Sequence, residues 1–235
     1  MSKRAIILAG GKGTRLRPYT LVLPKPLMPI GEYPILEVVV RQLVRNGFDH
    51  ITLAVNHQAA LIRSFFGDGS SWNVKIDYSQ ENSPMGTIGP LRLIEDLPEN
   101  FLIMNGDILT DLNFDTFYQS HVRTGKMFTI SSYRREEKID YGVILKTDSN
   151  ILSGFEEKPS RKYDVSMGIY MANRRILKYV KDIPYGFDNL MYDLLIDKIE
   201  VGIASFHGYW LDIGRPDDYI QAIEEFESMK EKFIP

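Results

Sequence analysis

Arg4-Ala-Ile-Ile-Leu-Ala-Gly-Gly-Lys-Gly-Thr-Arg-Leu-Arg17 is the stretch on which the architecture turns. Its first six residues form a short apolar run that stops at Gly10-Gly11, the pattern of a buried strand entering a loop. Gly10, Gly11 and Gly13 let backbone N–H groups come close to phosphate oxygens. Two familiar phosphate loops fail on spacing. The dinucleotide fingerprint counted from Gly11 meets Leu16 where its last glycine belongs, and no Gly-x-x-x-x-Gly-Lys-Ser/Thr string occurs. What remains is a glycine loop carrying Arg15, followed by Lys25 between Pro24 and Pro26. Arg offers a planar fork to phosphate and Lys a point charge. The flanking prolines predict a fixed, extended backbone at Lys25. A tight turn with solvated basic residues fits the same string.

Strands and helices alternate outward from this loop. Pro34 opens a helical pattern with Ile35, Leu36, Val39, Val40, Leu43 and Val44 on one face and Gly47 as its stop. Strands are expected at His50–Asn56, around Val74–Tyr78 and at Phe101–Met104, with a helix near Gln58–Phe66. Glu81–Pro90 reads as a loop leading into an apolar helix. Further on, Met127–Tyr133, Tyr141–Lys146 and Ile151–Glu156 read as strands joined by short turns. Helices are expected near Arg174–Lys181, Asn189–Ile199 and from Pro216, the last with Tyr219, Ile223, Phe226 and Met229 as its docking stripe. The fold class is therefore α/β, a Rossmann-like doubly wound and mostly parallel sheet with an added antiparallel segment, in one domain over 1–235.

The chain carries a formal net charge of −3, yet residues 1–31 hold Lys3, Arg4, Lys12, Arg15, Arg17 and Lys25 with no acidic residue. A basic end on an acidic body suits a polyanion. The chain has no cysteine, which removes thiolate nucleophiles, disulfides and Cys-type zinc sites. No apolar run reaches a membrane span and no signal peptide is readable, so a cytoplasmic location is expected. The basic residues sit in a glycine loop and not on an aromatic-interleaved face, which speaks against nucleic acid. His50, His57, His121 and His207 lack metal-ligand spacing and read as structural.

Gly10-Gly11-x-Gly13-Thr14-Arg15-Leu16-x-Pro18, followed by Pro24-Lys25-Pro26-Leu27, resembles the signature of the sugar-1-phosphate nucleotidylyltransferases. The resemblance runs over nearly the whole chain and implies that Leu8, Gly10, Gly11, Gly13, Thr14, Arg15 and Lys25 hold the nucleotide. Glu81-Asn-Ser-Pro-Met-Gly-Thr-Ile-Gly-Pro90 stands where the family contacts the base, which implicates Glu81, Gly86 and Thr87. Thymidylyltransferases usually show Gly-Leu-Ala-Gln there, but Gly89 replaces that glutamine. The Gly-Thr-x-Gly-Pro form is similar to mannose-1-phosphate guanylyltransferases, with uridylyltransferases for amino-sugar phosphates next.

Asp107 should end a central strand, and ligands in open α/β sheets bind beyond such ends. Asp212 precedes the last helix. Either alone reads more readily as a turn or cap residue. Asn105-Gly-Asp107 and Trp210-Leu-Asp-Ile-Gly214 both resemble the family's metal positions, implying Mg²⁺ held by Asp107 and Asp212. Asp111 reads as a turn residue. Phe155-Glu-Glu-Lys-Pro159 resembles the family motif in which Glu157 holds sugar hydroxyls and Lys158 grips the sugar phosphate. Asn105 and Gly168 fall on the same side, although Ser166-Met167-Gly168 replaces the Asn-Ser/Thr-Gly usual in guanylyltransferases.

The implied reaction joins a nucleoside triphosphate, GTP favoured, to a mannose- or heptose-type sugar 1-phosphate and releases pyrophosphate. Arg15, Lys25 and Lys158 are the expected catalytic residues. Uridylyl, cytidylyl or thymidylyl transfer to another hexose 1-phosphate is the nearest alternative. A non-catalytic sugar-nucleotide-binding regulator is the alternative of another class. A homodimer or larger homo-oligomer is expected from the resemblance, and the chain's length leaves no room for the left-handed β-helix of several relatives.

Overall fold

A computed structural model describes residues 2–56, 58–181 and 183–234. The reading of His57 thus lies outside the described residues. In chain order the elements are β1 (Arg4–Leu8), β2 (Pro29–Ile30), β3 (Tyr33–Pro34), α1 (Ile35–Arg45), β4 (His50–Val55), α2 (Ala59–Phe66) and β5 (Lys75–Gln80). There follow β6 (Asn100–Asn105), β7 (Ile108–Thr110), α3 (Phe114–Thr124), β8 (Phe128–Lys138), β9 (Val143–Lys146) and β10 (Leu152–Glu156). The chain closes with β11 (Ser160–Asn173), α4 (Phe187–Ile196), β12 (Val201–Phe206), β13 (Trp210–Asp212) and α5 (Pro216–Phe233).

Seven strands form the main sheet in the order β12-β8-β11-β6-β1-β4-β5. The pairs of β1 with β4 and β6, of β4 with β5 and of β12 with β8 are parallel. β11 alone runs against its neighbours β6 and β8. The α/β expectation is met, with the antiparallel strand built into the main sheet as well as in the β9–β10 hairpin.

The buried strands send alternate residues to opposite faces, as the two-residue period of a strand requires. Ile7, Leu53 and Met104 pack under α1 to α3, while Ile6, Ile103 and Tyr170 pack with α4. α1 is buried on more sides than a single stripe predicts, because Leu36, Val39 and Leu43 face the sheet while Ile35 and Val38 face α5. α5 docks through Tyr219, Ala222, Phe226 and Phe233. Ile223 is a correction: it is exposed, and Ala222 lies on the docking face in its place.

Three further expectations are corrected. The apolar helix after Pro90 is only a 3-10 turn over Gly89–Leu93, which Ile94 leaves in extended conformation. Arg174–Lys178 is likewise a 3-10 turn, held by Asn173 accepting from Arg175 N–H. Extended backbone occurs at Pro24, whereas Lys25 begins a 3-10 turn closed by Leu27 N–H to Pro24 O at 2.8 Å.

Candidate active site

The carboxyl ends of β1, β4, β5 and β6 meet at one crevice, the position where open α/β sheets take ligands. Ala9 N–H donates to Ala54 O at 2.8 Å, and Gly106 N–H to Leu8 O at 3.0 Å, which sews the β1 loop between its neighbours. A Cβ at Gly10 would sit 3.2 Å from both Asn56 Cβ and a Glu81 carboxylate oxygen, so a larger residue fits only if these side chains give by a few tenths of an ångström. The crevice deepens into a cavity of about 370 Å³. Leu8, Gly10, Gly11, Lys25, Glu81, Gly86, Thr87, Asn105 and Asp107 of the predicted residues line it, together with the unpredicted Lys12, Asn56 and Met85.

Glu81 divides its carboxylate: Oε2 accepts from Met85 N–H at 2.9 Å, and Oε1 faces the Gly10 turn. Gly86 lies at φ +83°, and a Cβ there would collide with the Tyr185 carbonyl. That carbonyl also accepts from Ile88 N–H and Gly89 N–H, so the base-side loop is tied to the segment before α4. Thr87 Oγ1 accepts from Phe187 N–H at 2.8 Å, and Thr87 lines the cavity.

Gly13 and Thr14 stand apart from this cavity. Gly13 adopts φ +58° and caps the 3-10 turn Thr14–Leu16, with its carbonyl accepting from Thr20 Oγ1 at 2.7 Å. Arg15 lies at the tip of that turn and lines a second cavity, of about 360 Å³, together with Asp212 and Trp210.

Asp107 and Asp212 come together although distant in sequence. β13 pairs antiparallel with β7, setting Asp212 opposite Ile108, and Ile213 N–H donates to Asp107 O at 3.0 Å. Lys25, nine-tenths buried, forms an ion pair with Asp107. Desolvation, then the nearby Asp107 carboxylate, pushes the Asp212 carboxyl up, against the pull of Lys25 and Arg15. Asp111, expected in a turn, instead follows β7 and binds across to the segment before β13: its side chain accepts from Tyr209 N–H at 2.7 Å.

On the acceptor side, a Cβ on Gly168 would lie 2.6 Å from Asn105 Nδ2, so β11 and the end of β6 touch there through a glycine at φ +72°. Glu157 approaches Gly142, and Lys158 holds an uncommon φ of +44° at the loop before β11. Both are exposed on the arm formed by the outer halves of β8 and β11, and neither lines the two cavities just described. His121 is buried with Nδ1 against Thr129 Oγ1 at 2.8 Å, and His50 meets Asp77 at 2.6 Å, both in structural settings. At the basic end, Lys3 pairs with Asp115 and buried Arg4 with Asp96, so these two cations serve the fold. No cluster of three or more His, Asp or Glu side chains with metal-holding geometry occurs among the described residues.

A glycine loop and paired carboxylates at the strand ends of a doubly wound sheet define a phosphate-handling α/β protein. The family model described as nucleotidyl transferase matches residues 4–229, and the chain belongs to that family. It is 32% identical over 240 residues to the mannose-1-phosphate guanylyltransferase catalytic subunit beta of Drosophila pseudoobscura pseudoobscura, covering 99% of this chain and 65% of the relative. The corresponding subunit of Danio rerio is 34% identical, over 92% of this chain and 62% of the relative. The chain thus spans less than two thirds of the length of these relatives. HddC from Yersinia pseudotuberculosis superposes with a TM-score of 0.74 at 26% identity, covering 95% of this chain and 99% of that one. A putative glucose-1-phosphate thymidylyltransferase from Bacillus anthracis shares the fold at TM-score 0.75 and 22% identity, covering 95% and 94%.

Proposed function

We propose that the protein transfers a guanylyl group from GTP to a sugar 1-phosphate of mannose or heptose type and releases pyrophosphate. The observation that carries this reading is the junction of Lys25, Asp107 and Asp212 beside the glycine-lined cavity. Guanine is favoured by the guanylyltransferase relatives and by HddC, which has been solved with GMP-PN. Glu81 supports it chemically, since a carboxylate accepts from the adjacent N–H donors on the guanine edge. The base would occupy the cavity between Glu81, Gly86 and Thr87.

The attacking atom is a phosphate oxygen of the sugar 1-phosphate, already anionic at neutral pH. It bonds to the α-phosphorus as the bond to the β-phosphate oxygen breaks, and the electron pair leaves with pyrophosphate. No protein base is needed, so the chain's task is positioning and charge neutralisation. Lys25 and Arg15 would bear on the triphosphate, and Lys158 on the sugar phosphate with Glu157, Asn105 and Gly168 around the sugar. This requires the exposed Lys158 loop to reach the acceptor from its arm.

Asp107 raises the proton affinity of Asp212, and two carboxylates placed so, with no cluster of three metal-holding side chains among the described residues, suit Mg²⁺, which takes most of its shell from phosphates and water. Asp107 and Asp212 would hold it, and when bound it supplies neutralising charge to the phosphates. A cytoplasmic location and a homo-oligomer are part of the same proposal. Among the described residues no helix is long and apolar enough to cross a membrane. Pyrophosphate release is measured over a panel of triphosphates and sugar 1-phosphates with Mg²⁺. GTP with mannose 1-phosphate or a heptose 1-phosphate should lead the panel; activity with no pair would sink the reading.

A further inference from the structure

The second cavity holds basic residues that the reaction as written does not use. Tyr133, Arg135 and Glu137 lie on one face of β8, and that face looks into the cavity beside Asp212. Arg215, at the N-terminal end of α5, and Arg15 complete the basic lining. The contrast with Arg134 on the opposite face of β8 is informative. Arg134 forks onto Asp164 with bonds of 2.9 and 3.0 Å. Among the described residues, no carboxylate lies within ion-pair distance of Arg15, Arg135 or Arg215.

Three carboxylates share the cavity, but two are committed. Asp218 caps α5 by accepting from Arg215 N–H at 2.8 Å, and Asp212 belongs to the metal pair. Asp212 and Asp218 keep their charge, so three guanidinium groups share the lining with three carboxylates and none forms a salt bridge with them. Neutral sugar hydroxyls do not call for three such groups, whereas guanidinium forks match phosphate oxygens in geometry and charge.

We propose that Arg135 and Arg215 extend Arg15 into a phosphoryl-binding subsite beside the metal carboxylates. The proposal rests on the nucleotidyl-transfer reading for its place in the reaction. Two sources supply the chemistry: the departing pyrophosphate, or a second phosphate on the acceptor. Departure and attack occur on opposite sides of the α-phosphorus, so one subsite serves one of them.

The test uses the full chain and its Arg135→Gln/Arg215→Gln double variant. Inorganic pyrophosphate, a hexose 1,6-bisphosphate and the matching 1-phosphate are each titrated by calorimetry, with GMP as the probe of the base cavity. Loss of two charge-assisted contacts should weaken one anion by roughly tenfold or more while GMP affinity stays within about twofold. Weakened pyrophosphate alone assigns the subsite to the leaving group. Loss of the bisphosphate's advantage over the monophosphate assigns it to the acceptor. Equal affinities in parent and variant, or no binding of either anion by the parent, overturn the proposal. If the double variant misfolds, Arg135→Lys and Arg215→Lys keep the charge without the fork, and each should still weaken the anion. A parent that binds the anions through these arginines but releases no pyrophosphate with any substrate pair would refute the transfer reading and leave the subsite standing.

Discussion

Asp107 and Asp212 answer to opposite forces, and their substitutions should differ accordingly. Asp107 neutralises a nine-tenths buried ammonium, so Asp107→Asn strands Lys25 and should cost about 1–3 kcal/mol of stability, read by urea unfolding. Asp212 is held above its ordinary pKa by desolvation and by Asp107, so its ionised form is less favoured in the folded chain than in the unfolded one. Asp212→Asn should therefore leave stability unchanged or raised in metal-free buffer. Both variants should lose Mg²⁺-dependent pyrophosphate release by roughly a hundredfold or more, as expected when charge stabilisation is removed from a transition state. Near-normal turnover in both would cancel the metal assignment. Arg15→Ala should lower kcat more than it raises the KM for the sugar phosphate. Residues of this kind were legible because their motifs are local strings. The division of Arg15 from Gly10 and Gly11 into different cavities was not, because it depends on how a 3-10 turn folds back.

Elements with dense apolar patterns were readable, and those without were not. α3 escaped notice because its buried side chains are Phe114, Phe117 and His121, a stripe with a histidine where an apolar residue would mark the period. β12 lies at the sheet edge, and its burial alternates without a matching alternation of polarity, since apolar Ile203 is on the exposed side. The outer parts of β8 and β11 carry charges on both faces, since neither face is covered there. The α3–β8 contact has a measurable signature. Burial pushes the His121 imidazole down to about 4 from 6.5, so its neutral form is the folded one. Between those values the unfolded chain binds a proton that the folded chain refuses. Stability should be complete above pH 6.5 and fall by about 3 kcal/mol towards pH 4, and His121→Gln should flatten that slope in urea melts. In the base-side loop, Gly86→Ala must relax both a positive φ and a collision with Tyr185, and should cost about 2 kcal/mol or more together with GTP affinity.

At the scale of the whole molecule, α5 is the clamp. Phe226 is fully buried between Met28, Ile30 and Phe233, so Phe226→Ala should cost about 3–5 kcal/mol in thermal or urea unfolding. Because β13 leads directly into α5, activity should fall with stability in that variant. Sequence reading captured the α/β class and the strands with apolar runs, β1, β4, β5 and β6, but not β7, β12 or β13. It could not foresee that β13 pairs with β7, a contact that only the folded topology specifies. That pairing has a temporal consequence. The two acidic groups are roughly a hundred residues apart along the chain, so joining them closes a long loop late and at an entropic cost. The base-side loop is itself tied to Tyr185 and Phe187, so during synthesis neither it nor the carboxylate pair is complete until the second half of the chain has joined the sheet. The two cavities therefore take shape together and not in turn, because Tyr185, Phe187 and Asp212 all arrive from the same later stretch of chain.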